Sequence, residues 1–341
     1  MHAIRLHAFG PSDNLVLDEL PDLEPGQEEV RIAVGAAGVH LLDTTIRQGG
    51  EGPFPAPELP TVPGREVAGV VDAVGPDVGD LRAGDRVWLF MAASRQDTGT
   101  AQEFTVVPAA WARPLPEGAS FEAGASLGVP AITAHRALTV AEDGPRRLAP
   151  KALDGFTVLV AGGAGAVGHA AIQLARWAGA TVIATVSGPE KAALATAAGA
   201  HHVVNYREGD PAAAIRAVAE DGVDIVVEVA VAKNIDLDMA VLKNRGTIAS
   251  YADDGADKLQ LDVRQNMMLN ARFQFLVLYT VGLDALTAGA DDVTAALRDG
   301  ALPVGEEHGL PLVRFPLAET AAAHRAVENG AVGKVIVEVA G

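Results

Sequence analysis

The sequence predicts an α/β protein, a doubly wound parallel sheet preceded by a β-rich domain. Three observations carry this prediction. The apolar run Val158-Leu-Val-Ala ends in a glycine-rich turn, with Gly163, Gly165 and Gly168 at G-x-G-x-x-G spacing before an alanine-rich helical segment. From Pro130 to Ser250, short β-type runs alternate with helical ones, the pattern of a parallel sheet covered on both faces. Residues 1–126 lack helical periodicity and carry short β-type runs separated by Gly, Pro and Asp.

The early runs lie at 3–6, 16–20, 30–39, 67–74, 86–90 and 103–107, with turn signals at 21–26, 75–77 and 114–118. That spacing suits a folded-up β-barrel or sandwich. A helix is expected at 131–141, then a strand at 157–161 and a helix at 166–178 closed by Gly179. Strand 181–186 precedes helix 189–198, which has proline in its first turn and Gly199 past its end. Strand 202–205, helix 211–220, strand 224–229, helix 237–242 and strand 246–250 complete the alternation. The tail returns to mixed character and closes on a strand at 333–339.

A length of 341 residues suffices for two domains, each with its own core. At 49% hydrophobic and 21% charged residues, the composition is that of a soluble globular protein. No apolar run nears the roughly 18 residues of a membrane span. The first residues read as a strand, not as a signal segment, so a cytoplasmic location without a membrane partner is expected. The chain has no cysteine, which excludes disulfides, thiol nucleophiles and cysteine-ligated metals. A net charge of −18 argues against a nucleic-acid partner, because phosphate contacts need clustered Lys and Arg.

The glycine spacing matches the needs of a dinucleotide site. Gly163 allows the tight turn, Gly165 lets backbone approach a pyrophosphate, and Gly168 lets helix and strand pack closely. Amides at the helix start, those of Ala166, Val167 and Gly168, then face the phosphates. The second strand ends Ala184-Thr-Val-Ser187 without the acid that binds a ribose 2′-hydroxyl, and Lys191 follows. An uncharged strand end plus a cation suits a 2′-phosphate, to which Tyr206 and Arg207 add a hydroxyl and a guanidinium. The expected cofactor is NADPH.

Several further segments, in order, carry a family resemblance: Ala37-Gly-Val-His-Leu-Leu-Asp43, Pro63-Gly-Arg-Glu-Val-Ala-Gly69, Ala83-Gly-Asp-Arg-Val87, Gly128-Val-Pro-Ala-Ile-Thr133, Gly188-Pro-Glu-Lys191, Asn205-Tyr-Arg-Glu208 and Gly333-Lys-Val-Ile336. With the glycine turn, they make the chain resemble the zinc-independent quinone oxidoreductase (zeta-crystallin-like) branch of the medium-chain dehydrogenase/reductase superfamily. The resemblance implies a GroES-like β-barrel substrate domain built from residues 1–126 and 267–341, and a Rossmann NADPH-binding domain at 127–266.

Zinc enzymes of that superfamily place a cysteine where this chain has His40 and a histidine where it has Arg65, and their third ligand finds no cysteine here. Three protein ligands are the usual requirement of catalytic zinc, so no metal is expected. The resemblance implies hydride transfer to a small-molecule quinone or enone acceptor, with His40 and Thr45 facing the nicotinamide and the acceptor. The family often has asparagine and tyrosine at those two positions. The resemblance further places Thr133 and Lys334 near the cofactor, and Asn234, Tyr251 and Tyr279 are candidate cleft residues. Asp43 and Glu66 read as structural carboxylates paired to Arg47 or to loop amides. Two other functions stay open: alkenal or enoyl double-bond reduction, and a non-catalytic crystallin-like or RNA-binding role. The apolar run Phe273-Gln-Phe-Leu-Val-Leu-Tyr279 suggests a homodimer built by strand pairing.

Overall fold

The computed structural model describes residues 1–50, 56–92, 99–253 and 258–339. They divide into two compact units, Met1–Val129 with Leu312–Gly341, and Pro130–Pro311.

The first unit opens with the antiparallel pair β1 (His2–Leu6) and β2 (Leu15–Glu19). It continues through β3 (Glu29–Val39), helix α1 (Leu41–Arg47), β4 (Glu66–Val74), β5 (Arg86–Leu89), β6 (Phe104–Pro108), β7 (Ala112–Pro114) and the single-turn α2 (Phe121–Gly124). The long strand β3 is the spine. It pairs antiparallel with β4 along one side, and with β6 through its first half on the other. Its burial alternates, placing Val30, Ile32 and Val34 in a core with Val67, Val71, Val87, Leu89 and Val107. That period-2 pattern makes the segment a half-buried strand. Helices α1 and α2 depart from the helix-free reading of residues 1–126. Each is too short to show a 3.6-residue period in sequence.

The second unit runs α3 (Pro130–Leu138), β8 (Thr157–Ala161), α4 (Ala166–Trp177), β9 (Thr181–Val186), α5 (Pro189–Ala197), β10 (His202–Asn205), α6 (Pro211–Val218), β11 (Val223–Glu228), α7 (Val231–Val241), β12 (Leu242–Ser250), α8 (Val263–Leu269), β13 (Arg272–Phe275) and α9 (Leu283–Arg298). All six strands are parallel, in the order β10-β9-β8-β11-β12-β13. This is the doubly wound arrangement, with strand order reversing between β8 and β11. Helix α7 begins well before the expected 237, and β12 well before the expected 246.

The chain then returns to the first unit through β14 (Leu312–Pro316), α10 (Thr320–Glu328) and β15 (Lys334–Glu338). There β15 pairs with β3, and β14 with β15. The return comes at Leu312, not at the expected 267. Two elements hold residues 267–311 in the second unit. β13 is the sixth strand of its sheet, and α9 buries Leu286, Ala290, Val293 and Leu297 with α3 and α4 beside it. A four-residue strand and a helix after the last legible βα repeat give no domain signal of their own.

Candidate active site

In the second unit, β8 enters α4 through Gly162-Gly-Ala-Gly165, with Gly165 as the N-cap residue. No side chain caps this helix, and its first internal bond runs from the His169 amide to the Gly165 carbonyl at 2.7 Å. The amides of Ala166, Val167 and Gly168 therefore have no acceptor within the helix. A Cβ on Gly163 would lie 2.8 Å from Ala184 Cβ, and one on Gly168 would collide with the Gly162 carbonyl. Both glycines are required by strand–helix packing. Gly165 is exposed and meets nothing nearer than 3.4 Å, which leaves bare backbone at the positive end of a twelve-residue helix. This cradle fits the pyrophosphate of a dinucleotide.

β9 ends at Val186 opposite Asn205, the end of β10, so Ser187 and Tyr206 emerge next to each other. The Tyr206 amide bonds the Val186 carbonyl at 3.0 Å. Lys191, in the first turn of α5, and Arg207 are exposed, and neither has an ion-pair partner among the described residues. The structure thus gathers Ser187, Lys191, Tyr206 and Arg207 at the carboxyl edge of two adjacent strands.

Where the strand order reverses, β11 closes on Glu228, fully buried. Its Oε1 accepts from the Ala230 amide and, at 3.0 Å, from Asn234 Nδ2. Asn234, a candidate cleft residue, is thus committed to holding Glu228. The Asp238 carboxyl of α7, itself buried, interacts with that of Glu228. Burial first, then the Glu228 charge, pushes the Asp238 carboxyl up to about 9, so the pair retains a proton at neutral pH. Tyr251, directly after β12, donates its amide to the Glu228 carbonyl at 3.0 Å, and burial beside Glu228 pushes its phenol up. Sequence reasoning passed over Glu228 and Asp238. The available signal was an acid closing the otherwise apolar run Ile225-Val-Val-Glu228. Thr133 is buried within α3, and Tyr279 sits in the short turn Leu278–Thr280 beyond β13.

In the first unit, His40 directly follows β3 and is the N-cap residue of α1. Its amide donates to Asp43 Oδ2 at 3.1 Å, and its ring Nδ1 lies 3.2 Å from the same oxygen. Asp43 Oδ1 accepts from Arg65 Nη1 at 3.0 Å, with both side chains buried. Burial pushes the Asp43 carboxyl up, but His40, Arg65 and His324 around it and the His40 amide outweigh this and hold it below its ordinary range. Burial keeps the His40 ring below its ordinary value although Asp43 and Glu66 favour its charged form. Thr45 turns its hydroxyl back to the Leu41 carbonyl at 3.1 Å.

Glu66, fully buried on β4, accepts the Val129 amide at 2.9 Å and forms an ion pair with Lys334 of β15. The Lys334 ammonium, expected near the cofactor, is engaged inside this unit by a carboxylate with no solvent exposure. Of the expected partners, Arg47 or loop amides, Asp43 takes the His40 amide, and its ion pair is with Arg65 instead of Arg47. Arg47, one turn further along α1, reaches the Gly10 carbonyl and Glu328 of α10. Among the described residues no three His, Cys, Asp or Glu side chains form a group able to hold a metal ion. The residues at the zinc positions do not fit that ion, since the buried Arg65 guanidinium repels a dication.

Two family models match the chain, "Alcohol dehydrogenase GroES-like domain" over residues 26–117 and "Zinc-binding dehydrogenase" over residues 166–295. The quinone oxidoreductase of Rattus norvegicus is 32% identical, covering 98% of this chain and 97% of that protein. A 2-haloacrylate reductase from a Burkholderia species is also 32% identical, over 94% of this chain and 93% of its own length. Among solved structures, the Escherichia coli quinone oxidoreductase complexed with NADPH superimposes with a TM-score of 0.79 at 26% identity, covering 99% of this chain and 100% of the other.

Proposed function

This chain belongs to the quinone oxidoreductase family of the medium-chain dehydrogenase/reductase superfamily, and from that premise we propose that it reduces a small-molecule quinone or conjugated carbonyl with NADPH and without zinc. The observation that carries the reading is Arg65, buried and paired to Asp43 at a position where zinc dehydrogenases of the superfamily have a ligand. With no place for a Lewis acid, the acceptor must already be electron-poor, as quinones and enones are. NADPH supplies the hydride.

The chain's own residues bind and orient. The turn Gly163 to Gly168, with the Ala166 and Val167 amides, holds the pyrophosphate. Ser187, Lys191 and Tyr206 hold the 2′-phosphate, Lys191 through a charge-assisted bond. Thr133, Tyr251 and Tyr279 shape the nicotinamide end, and the family resemblance brings Lys334 near the cofactor. His40 and Thr45 form the acceptor side. Steady-state NADPH oxidation against a panel of quinones, enals and enones tests the reading. Turnover with quinones or enones but not with simple ketones supports it, and failure with every activated acceptor overturns it.

The likeness to a 2-haloacrylate reductase favours a second reading, reduction of an activated carbon–carbon double bond, which the same panel separates. We also propose a cytoplasmic homodimer. Among the described residues β13 is paired on one side only, and Met267, Met268, Phe275 and Val277 are exposed on and around it. Among those residues, too, no helix is long and apolar enough to cross a membrane. Molar mass in solution at micromolar concentration tests the dimer.

A further inference from the structure

We propose that Asp43, anchored by Arg65, is a positioning residue that fixes the proton of neutral His40 on Nδ1, so that His40 exchanges a proton with the acceptor through Nε2. The proposal rests on the reading of His40 as an acceptor-site residue given above.

Three observations on one oxygen pair carry it. Asp43 Oδ2 lies 3.2 Å from His40 Nδ1 and already holds the His40 amide at 3.1 Å, so ring and backbone are referenced to the same atom. Asp43 Oδ1 is taken by Arg65 Nη1 at 3.0 Å, which fixes the carboxylate's rotation and keeps it charged. Both His40 ring nitrogens are closed off from solvent and make no hydrogen bond among the described residues, with the Asp43 carboxylate 3.2 Å from Nδ1. A buried polar atom without a partner costs about 1–3 kcal/mol, so a structure that keeps one has a use for it when ligand is bound. A lone pair on Nδ1 would face a carboxylate and be repelled, whereas an N–H there is attracted. The proton therefore belongs on Nδ1, and Nε2 carries the lone pair.

The consequence is directional. In its resting form Nε2 accepts a hydrogen bond from a hydroxyl. To complete a reduction, the ring must first become imidazolium by taking a proton at Nε2 from water that enters with the acceptor, the side chain being 15% exposed. A hydride from NADPH would bring the two electrons and one hydrogen to the acceptor, and the oxyanion so formed would take the Nε2 proton. The ring returns to neutral, with its Nδ1 proton still on Asp43. The groups facing the ring set how readily it charges. Asp43 of α1 and Glu66 of β4 favour the imidazolium, while Arg65 of β4, Lys334 of β15 and burial oppose it, and His324 of α10 competes for Asp43.

The backbone N–H of Asp43 also faces the His40 side chain, as in a helix capping box, and offers the opposite tautomer, with Nδ1 accepting and Nε2 protonated. Nitrogen-15 NMR of histidine-labelled protein, with His40 assigned from the spectrum of His40→Asn, decides between them without any turnover. The expected result is a protonated Nδ1 and an unprotonated Nε2, and an Nε2–H tautomer overturns the proposal. The second measurement is kcat/KM for 1,4-naphthoquinone from pH 5 to 9. Wild type should lose rate as pH rises through one ionisation, and His40→Asn should be slower and flat. Asp43→Asn should show that ionisation at least about one unit lower, with about tenfold less rate at pH 7. An identical pH profile in all three overturns the proposal even with the expected tautomer. If naphthoquinone is not reduced at all, the functional reading fails while the tautomer measurement still stands.

Discussion

Replacing Asp238 with asparagine should stabilise the second unit, and by an amount that grows with pH. In the native structure the carboxyl is buried against Glu228 and pushed up from an ordinary value of 3.8 to about 9. A folded-state value above the unfolded one means that the folded chain holds a proton which the unfolded chain releases. The associated stability is complete below about pH 4 and is lost progressively as pH rises towards 9. One proton corresponds to about 1.4 kcal/mol per pH unit, so wild type should lose up to about 4 kcal/mol between pH 5 and pH 8 from this group. Asparagine keeps a donor for Glu228 and has no proton to lose, so the variant escapes that slope. At roughly 2 °C per kcal/mol for a domain of this size, the Tm gap between variant and wild type should widen by about 8 °C from pH 5 to pH 8. Differential scanning calorimetry at half-unit steps reads it directly. A constant offset caused by imperfect fit of the amide leaves the slope untouched. A gap that stays level with pH, or narrows as pH rises, refutes the shared-proton description of Glu228 and Asp238.

Lys191→Ala should weaken NADPH about tenfold or more while leaving NADH nearly unchanged, since the lost bond is charge-assisted and worth about 1.5–3 kcal/mol. Fluorescence titration of both cofactors checks this, and equal loss for both removes Lys191 from the 2′-phosphate site. Gly168→Ala should abolish dinucleotide binding and lower Tm, because the new methyl meets the Gly162 carbonyl. The carboxyl of Asp292 is raised by burial, yet bonds from His135, Arg147 and the Leu148 amide outweigh this and hold it at about 2. A depressed value gives stability that is present above the ordinary 3.8 and lost as pH falls towards 2. Asp292→Asn should therefore cost about 2 kcal/mol at pH 7 and flatten the acid limb of urea unfolding below pH 4.

Local signals determined much of this molecule from sequence alone. The period-2 run that became β3, the short strands spaced by alanine-rich helices, and the glycine spacing at 163, 165 and 168 each report a backbone geometry that neighbouring residues enforce by themselves. The missing acid after β9 was likewise legible, because the residues that end a strand are read directly from the chain. Pairings between residues distant in sequence were not legible. Asp43 chose Arg65 over the nearer Arg47, Lys334 gave its charge to Glu66 from 268 positions away, and Glu228 met Asp238 across a strand–helix turn. The domain boundary at Leu312 belongs with them, since only sheet pairing and helix docking assign β13 and α9 to the second unit. Periodicity records which face of an element is buried. Which charge neutralises which depends on the positions of several elements at once, and low dielectric makes that choice worth several kcal/mol only after folding has excluded water.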